Sequence, residues 1–454
     1  MGSFFRFSER GTNFRIEVVA GLTTFMTMAY IVFVNPAILG TEGTGLSVPG
    51  VFFATCIAAA AASIAMGIFA NFPVALASGL GLNAVVAFTL ILGQQLPWQT
   101  AMAAIVIEGV LVTLLVLTNL REIILNAIPL SLKFAIAVGI GLFIAFIGLK
   151  NAGIVVADPV TYLKLGDFTQ GPVLLAVFGL VLTLALVARG FRGGLLVGIL
   201  ITGVVGMIFG LTPLPSSVAS LDFDTSTIGG GILAIPEALQ LSLVPTIFAL
   251  FMTDFFDTMG TVIAVGQEAK LLDEEGRLPD AKRILLVDSL AAVGGGAAGA
   301  SSVTSYIESG SGVAEGGRTG LTSVVVGIFF LLALPFSPLI SVIGGSVPIP
   351  GPEGQEILVS PVTAPALIVV GFLMMTAVRF IPWEQVDEAI PAFLTILTLP
   401  LTFNISYGIG FGFISYVLIK LARGKPGEVH PLLYSVAILF ALVFVVPALQ
   451  GLFS

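Results

Sequence analysis

The sequence predicts an all-α polytopic membrane protein with 14 transmembrane segments, arranged as two inverted repeats of seven and followed by an extra C-terminal hydrophobic helix. Three observations predict it. The 454 residues are 57% hydrophobic and only 10% charged, with a mean hydropathy of +1.10, whereas soluble domains carry roughly 25% charged residues. Apolar runs long enough to cross about 30 Å of hydrocarbon recur along the chain. The cations, finally, gather on alternate connections.

Residues 1–15, with Arg6, Glu9, Arg10 and Arg15, lack a small-residue cleavage site and read as a cytoplasmic N-terminus rather than a signal peptide. Apolar segments follow at 16–39, 51–70, 100–118, 131–149, 172–188 and 194–209. A second series occupies 244–266, 284–298, 321–343, 361–377, 389–401 and 405–420. Between the second and third members of each series lies a stretch too rich in Ser, Gly, Thr and β-branched residues for a simple span, at 72–83 and at 299–308. Each predicts a short extended piece entering a half-helix, which completes segments 3 and 10. Asn83 stands three residues after Leu80 and Glu308 three after Ser305, each expected inside its half-helix. Two re-entrant loops with structural polar groups would explain the pattern, but corresponding irregular segments in two halves also mark a transport site. The run 431–452 fits either another span or a helix lying against the bundle.

An odd number of spans per repeat inverts the second copy, and the charges agree. Arg121, Lys133, Arg189, Arg192, Lys270, Arg277, Lys282, Arg283, Arg318, Arg379, Lys420, Arg423 and Lys425 all fall on the N-terminal side. The opposite loop 211–243 carries Asp222, Asp224 and Glu237 but no cation, and 344–360 only Glu353 and Glu356. That is the positive-inside pattern. Lys150 and Lys164 dissent, in a loop balanced by Asp158 and Asp167.

Composition also excludes. No basic patch with interleaved aromatics exists, so nucleic acid is not a partner. The single Cys56 sits in an apolar run and reads as a packing residue, and the single His430, beside Pro431, as an ordinary interfacial one. The 53 glycines and 25 prolines suit close helix packing and broken helices.

Carboxylates at membrane depth cost roughly 2.5–3.5 kcal/mol each on insertion scales, so they are functional candidates by default. Asp254 and Asp257, at i and i+3, share one helix face. They repel when both are ionised, which makes one a candidate proton carrier. A purely structural role for either, accepting backbone N–H groups of a facing half-helix, is the competing reading. A two-aspartate metal site would need further clustered carboxylates and a cationic clamp, which the chain does not supply. Glu308 and Asp254 could accept from a planar ring carrying N–H donors, and Asn83 adds a donor and an acceptor. Phe255, Phe256 and Tyr306 could stack on such a ring. Glu108 and Asp288 read as structural hydrogen-bonding groups. The loop 315–320 has the glycines for a sharp turn but not the Lys-Ser/Thr of a phosphate loop.

Several blocks resemble the AzgA-like hypoxanthine, guanine and adenine permeases. They are the first span from Ala20 to Pro36, the block from Asp254 to Thr261, Thr304-Ser305-Tyr306-Ile307-Glu308-Ser309 with Gly316 to Thr322, and Glu428 to Leu432. The resemblance runs through nearly the whole chain. It implies the uracil permease-like fold, with a core domain from spans one to four (16–118) and eight to eleven (244–343). A gate domain would come from 119–211 and 344–421, and 212–243 would be an external loop. It implies a proton-coupled permease of the inner membrane with no cofactor but the coupling proton, moving core against gate like an elevator and often dimeric. The family's substrate residues fall on Asn83, Asp254 and Glu308, and a further functional aspartate on Asp257. The third span departs from the family at Ser78, Leu80, Val85 and Val86, but keeps the asparagine. The competing class is an anion transporter of the related sulfate-permease architecture, which wants Arg, Lys or bare helix N-termini rather than an acidic site.

Overall fold

The computed structural model describes residues 2–118, 128–240, 243–273, 278–351 and 355–453. Arg121, Arg277, Glu353 and the side chain of Phe256 lie outside the described residues. The first half contains α1 (Phe14–Met28), α2 (Ile31–Leu39), α3 (Val48–Ala65), β1 (Leu76–Ser78), α4 (Leu80–Ala84), α5 (Trp98–Thr118) and α6 (Leu130–Asn151). A hairpin of β2 (Val155–Asp158) and β3 (Tyr162–Leu165) follows, then α7 (Gly171–Ala188) and α8 (Gly194–Ile208). Two short helices, α9 (Gly230–Leu233) and α10 (Ile235–Ala238), lead to α11 (Val244–Glu268) and α12 (Ala281–Ala298). The rest is β4 (Val303–Ser305), α13 (Ser309–Ala314), α14 (Gly320–Ala333), α15 (Ser337–Ile343), β5 (Val347–Pro350), β6 (Glu356–Val359), α16 (Ala364–Met375), α17 (Val386–Leu401), α18 (Ile405–Ala422) and α19 (Pro431–Phe453).

Among the described residues, eight helical stretches are long and apolar enough to cross a bilayer, and four shorter apolar helices accompany them. The molecule is a mostly helical, multi-pass membrane protein. Helix starts follow capping chemistry: Asn13 accepts the Ile16 N–H, Ser47 that of Gly50, and Asn404 that of Tyr407. The buried Glu17 accepts N–H groups of Arg318 and Thr319 at 2.8 and 3.2 Å, so α1 closes the start of α14.

Strands occur beyond the short extended pieces expected in segments 3 and 10, so the all-α expectation needs correcting to mostly helical. Two hairpins, β2 with β3 and β5 with β6, occupy connections, and Gln170 Nε2, at the start of α7, donates to the Pro350 carbonyl of β5. Short β-branched runs between turns favour strands there. Lys164 reaches Asp158 at 3.0 Å, so that dissenting cation is neutralised within its own hairpin. The Thr161 N–H, with Lys164, holds the Asp158 carboxyl well below the usual carboxylate range. The expected spans are also interrupted. The 16–39 run breaks between α1 and α2, and 321–343 breaks at Pro335 and Pro338, whose rings cannot continue a regular ladder.

α14 packs on α1 and α3, and α5 on α12 and α11, while α6, α16, α17 and α18 form another packed group. Just beyond the end of α3, a Cβ on Gly320 would lie 2.0 Å from the Gly67 carbonyl, so only glycine permits this approach of α14. The C-terminal α19 packs on α18 and reaches α11, with Phe440 against Phe413 and Phe248.

Candidate functional site

The two irregular stretches meet. β1 and β4 pair antiparallel, Leu76 opposite Ser305 and Ser78 opposite Val303. The Gly79 N–H donates to the Ser302 carbonyl at 2.9 Å, and that of Tyr306 to the Ala75 carbonyl at 3.0 Å. Ser63 of α3 steadies β1, its hydroxyl accepting the Leu76 N–H at 2.9 Å. A half-helix starts beyond each strand, α4 at Leu80 and α13 at Ser309, so both half-helix starts belong to one crossing; the Ser309, Gly310 and Ser311 N–H groups donate to the Tyr306, Ile307 and Glu308 carbonyls.

Asn83 lies within α4 as expected. Glu308 does not lie within its half-helix: Ser305 belongs to the paired strand, so α13 starts only at Ser309 and Glu308 is its N-cap. From there Glu308 Oε1 accepts the Tyr30 hydroxyl at 2.6 Å.

Asp254 and Asp257 come to the crossing from α11 with different surroundings. Asp254 is fully buried, and its Oδ1 accepts from Ser302 Oγ at 3.2 Å. Asp257 is exposed, on a stripe that continues through Gly260, Ala264 and Gln267. Among the described residues no hydrogen bond holds it. Asn83, like Asp254, is fully buried. Both Asn83 amide atoms, Asp254 Oδ2, Ser78 Oγ and Ser301 Oγ have no hydrogen-bond partner among the described residues. Buried polar groups are almost always paired, so such a concentration marks a place built to receive polar atoms.

The aromatic candidates are more deeply engaged. Phe255 is buried and stacks on Phe251, ring centroids 5.7 Å apart. Tyr306 is buried, and its hydroxyl donates to the Ser78 carbonyl across the strand pair. Of the two carboxylates read as structural, Asp288 fits: it accepts from Thr258 and Ser305 hydroxyls, both at 2.7 Å. Glu108 does not, because neither of its oxygens meets a donor. His430 Nδ1 accepts the Leu432 N–H, and Cys56 is buried and free. Among the described residues no His, Cys, Asp and Glu cluster could hold a metal ion. A cavity of about 430 Å³ lined by Ile107, Leu111, Val244, Ile247, Phe248 and Phe251 is apolar and contains none of these groups.

Two contributors escaped the sequence reading. Ser302 is one serine in a serine-rich run, and only strand pairing selects it. Tyr30 is one hydroxyl in an apolar span that also holds Thr23, Thr24 and Thr27, and nothing local to that span points to Glu308.

The Permease family model Xan_ur_permease matches residues 15–411. The chain is 43% identical over 453 residues to the guanine/hypoxanthine permease PbuG of Bacillus subtilis, covering 98% of this chain and 99% of that protein. It is 43% identical to the adenine permease AdeQ of Escherichia coli, covering 97% and 95%. The nucleobase transporter PlAzg2 of Paenibacillus larvae is 33% identical, covering 90% and 78%. Among solved structures, the transmembrane domain of the cyanobacterial bicarbonate transporter BicA aligns with a TM-score of 0.58 at 12% identity, covering 87% and 97%. The murine Slc26a9 anion transporter in its inward-facing state aligns at 0.62 and 10%, covering 90% and 69%. At such identities the likeness shows a shared fold alone. The sequence relatives named are permeases and transporters, not enzymes, and this chain belongs with them to the Permease family, on its AzgA-like branch.

Proposed function

We propose that the chain moves purine nucleobases, hypoxanthine, guanine or adenine, across the inner membrane by proton symport. One observation carries the reading: Asn83 and Asp254 present one amide and one carboxylate oxygen, buried and unpartnered, at the crossing of β1 and β4. A purine edge offers the complementary mixture of N–H donors and ring-nitrogen acceptors. The names of the sequence relatives point the same way.

In this reading Asn83, Asp254 and Glu308 hold the base, and Asp254, Asp257 or Glu308 exchanges the proton. Phe255 and Tyr306 stack on the base through faces that are covered in this conformation. The exposed stripe from Asp257 to Gln267 is the path to the N-terminal, cytoplasmic side. The fourteen spans form two inverted repeats, with residues 16–118 and 244–343 as the core and 119–211 and 344–421 as the gate. The core carries the site past the gate in an elevator-like step. Separate packing of α6, α16, α17 and α18 from α1, α3 and α14 supports that division. Residues 212–243 are the external loop, and the working unit is a homodimer.

Anion transport is the second reading, favoured by the fold shared with bicarbonate and other anion transporters. The carboxylates at the crossing disfavour it, since an anion wants Arg, Lys or bare helix ends. Uptake of labelled hypoxanthine, guanine, adenine, uracil and bicarbonate, with and without a protonophore, separates the two. Purine uptake that the protonophore collapses is expected, and bicarbonate uptake alone would refute the reading.

A further inference from the structure

Glu108 is fully buried midway along α5, flanked by Ile107 and Gly109. The close approach at Gly109, where a Cβ would lie 2.8 Å from the Val293 nitrogen, presses α5 onto α12 and fixes the backbone that carries Glu108. A carboxyl group in such a place is costly unless something satisfies it. No conventional donor does, among the described residues, for either oxygen.

What Glu108 does meet is another carboxyl. The helix α11 packs against α5 and carries Asp254, fully buried like Glu108, and the two side chains act directly on each other. Asp254 has a matching deficit, with Oδ1 on Ser302 and Oδ2 without a donor. The other ionisable groups acting on the pair are Asp288 of α12, already held by Thr258 and Ser305, and Asp257 of α11. All are acidic. Two carboxylates cannot hydrogen-bond to each other, whereas a carboxylic acid donates a short, charge-assisted bond to a carboxylate. One proton satisfies both groups.

We propose that Glu108 and Asp254 hold a single proton between them, and that this proton travels with the substrate. The idea rests on the transport reading above and adds a residue to it. With a base bound, Glu108 keeps the proton, so the Asp254 carboxylate is free to accept an N–H of the base. When the base leaves on the inner side, the proton passes from Glu108 to Asp254 and on to water. Repulsion between the two bare carboxylates then draws one proton from the outer side, so one enters and one leaves per cycle. Glu108 touches the proton and positions Asp254; it does not touch the base.

The test uses the full-length chain in liposomes with an imposed gradient of about one pH unit, across which one coupled proton is worth about tenfold in accumulation. Glu108→Gln, whose amide donates permanently to Asp254, is expected to lower hypoxanthine accumulation by about that factor, while counterflow of labelled against unlabelled hypoxanthine persists. Accumulation equal to that of the unaltered chain would overturn the proposal. A second measurement needs no substrate. In infrared pH titrations of the purified chain, Glu108→Gln and Asp254→Asn should each abolish or displace the same single carboxylic-acid C=O band. Changes in two different bands, or a band unmoved in either variant, would overturn the shared proton even if purine transport stands. Absence of any hypoxanthine uptake by the unaltered chain would instead overturn the transport reading, with the infrared arm still deciding the pair. Should Glu108→Gln fail to insert, Asp254→Asn decides by the same band, whose persistence at an unaltered position refutes sharing.

Discussion

The Tyr30 hydroxyl donates to Glu308 Oε1 at 2.6 Å, joining the break between α1 and α2 to the cap of α13 across 278 residues of chain. Tyr30→Phe keeps the ring and removes only this donor. Hydrogen bonds to charged groups contribute about 1.5–3 kcal/mol. The variant should weaken apparent purine affinity roughly tenfold or more at equal membrane abundance. Competition of unlabelled bases against one labelled purine measures it, and an unchanged affinity would separate Tyr30 from the site.

Asp254→Asn and Glu308→Gln are expected to abolish purine uptake while leaving membrane insertion intact. Each keeps the side-chain shape but changes an acceptor into a partial donor, which mismatches an N–H of the base. Normal uptake by either variant would remove that residue from the assignment.

The exposed stripe on α11 makes a steric prediction. Among the described residues, nothing lies within 4 Å of a Cβ placed on Gly260, one turn beyond Asp257. Gly260→Ala should therefore transport normally, and Gly260→Trp should insert yet block uptake. A Trp variant with full activity would show that the stripe is not the substrate's path.

Gly320 tests the packing. Its Cβ position lies 2.0 Å from the Gly67 carbonyl, so Gly320→Ala must part α14 from α3. Overpacking of this kind costs about 1–3 kcal/mol. Thermal unfolding of the purified chain should shift downward, and an unchanged midpoint would mean that the helices can separate freely.

A charge cluster at the end of α18 sets a pH dependence. Lys420 reaches Asp387 at 2.9 Å and Glu388 at 3.0 Å, and Arg423 reaches Asp387 at 2.8 Å. The hydrogen bond from Lys420 holds the Asp387 carboxyl down at about 2. Because the folded value lies below the unfolded one of about 3.9, the stabilisation is complete above that pH and fades as pH falls toward the folded value. Asp387→Asn should flatten the thermal stability of the purified chain against pH in this acid window. An identical profile for both chains would refute the linkage.

The sequence by itself determined the membrane solvent and most of the spans, because bilayer thickness imposes a length of apolar helix that any window of residues displays. It also located the crossing, since glycine, serine and β-branched residues inside an otherwise oily chain already conflict with a continuous helix. Asn83, Asp254, Asp257 and Glu308 were legible for the same reason: a polar group at membrane depth stands out against its neighbours. Only the tertiary structure decided what each of them meets. That Ser302 serves Asp254, that Tyr30 serves Glu308, and that Glu308 stands at the N-cap position of its half-helix instead of within it depend on strand register and packing between segments far apart in the chain. The sharpest case is Glu108 beside Asp288. Both are single acids in apolar helices and read alike, yet Asp288 finds two hydroxyl donors and Glu108, among the described residues, finds none. Sequence spacing fixes which face of its own helix a side chain takes, but its partner is chosen by the helix packed against it.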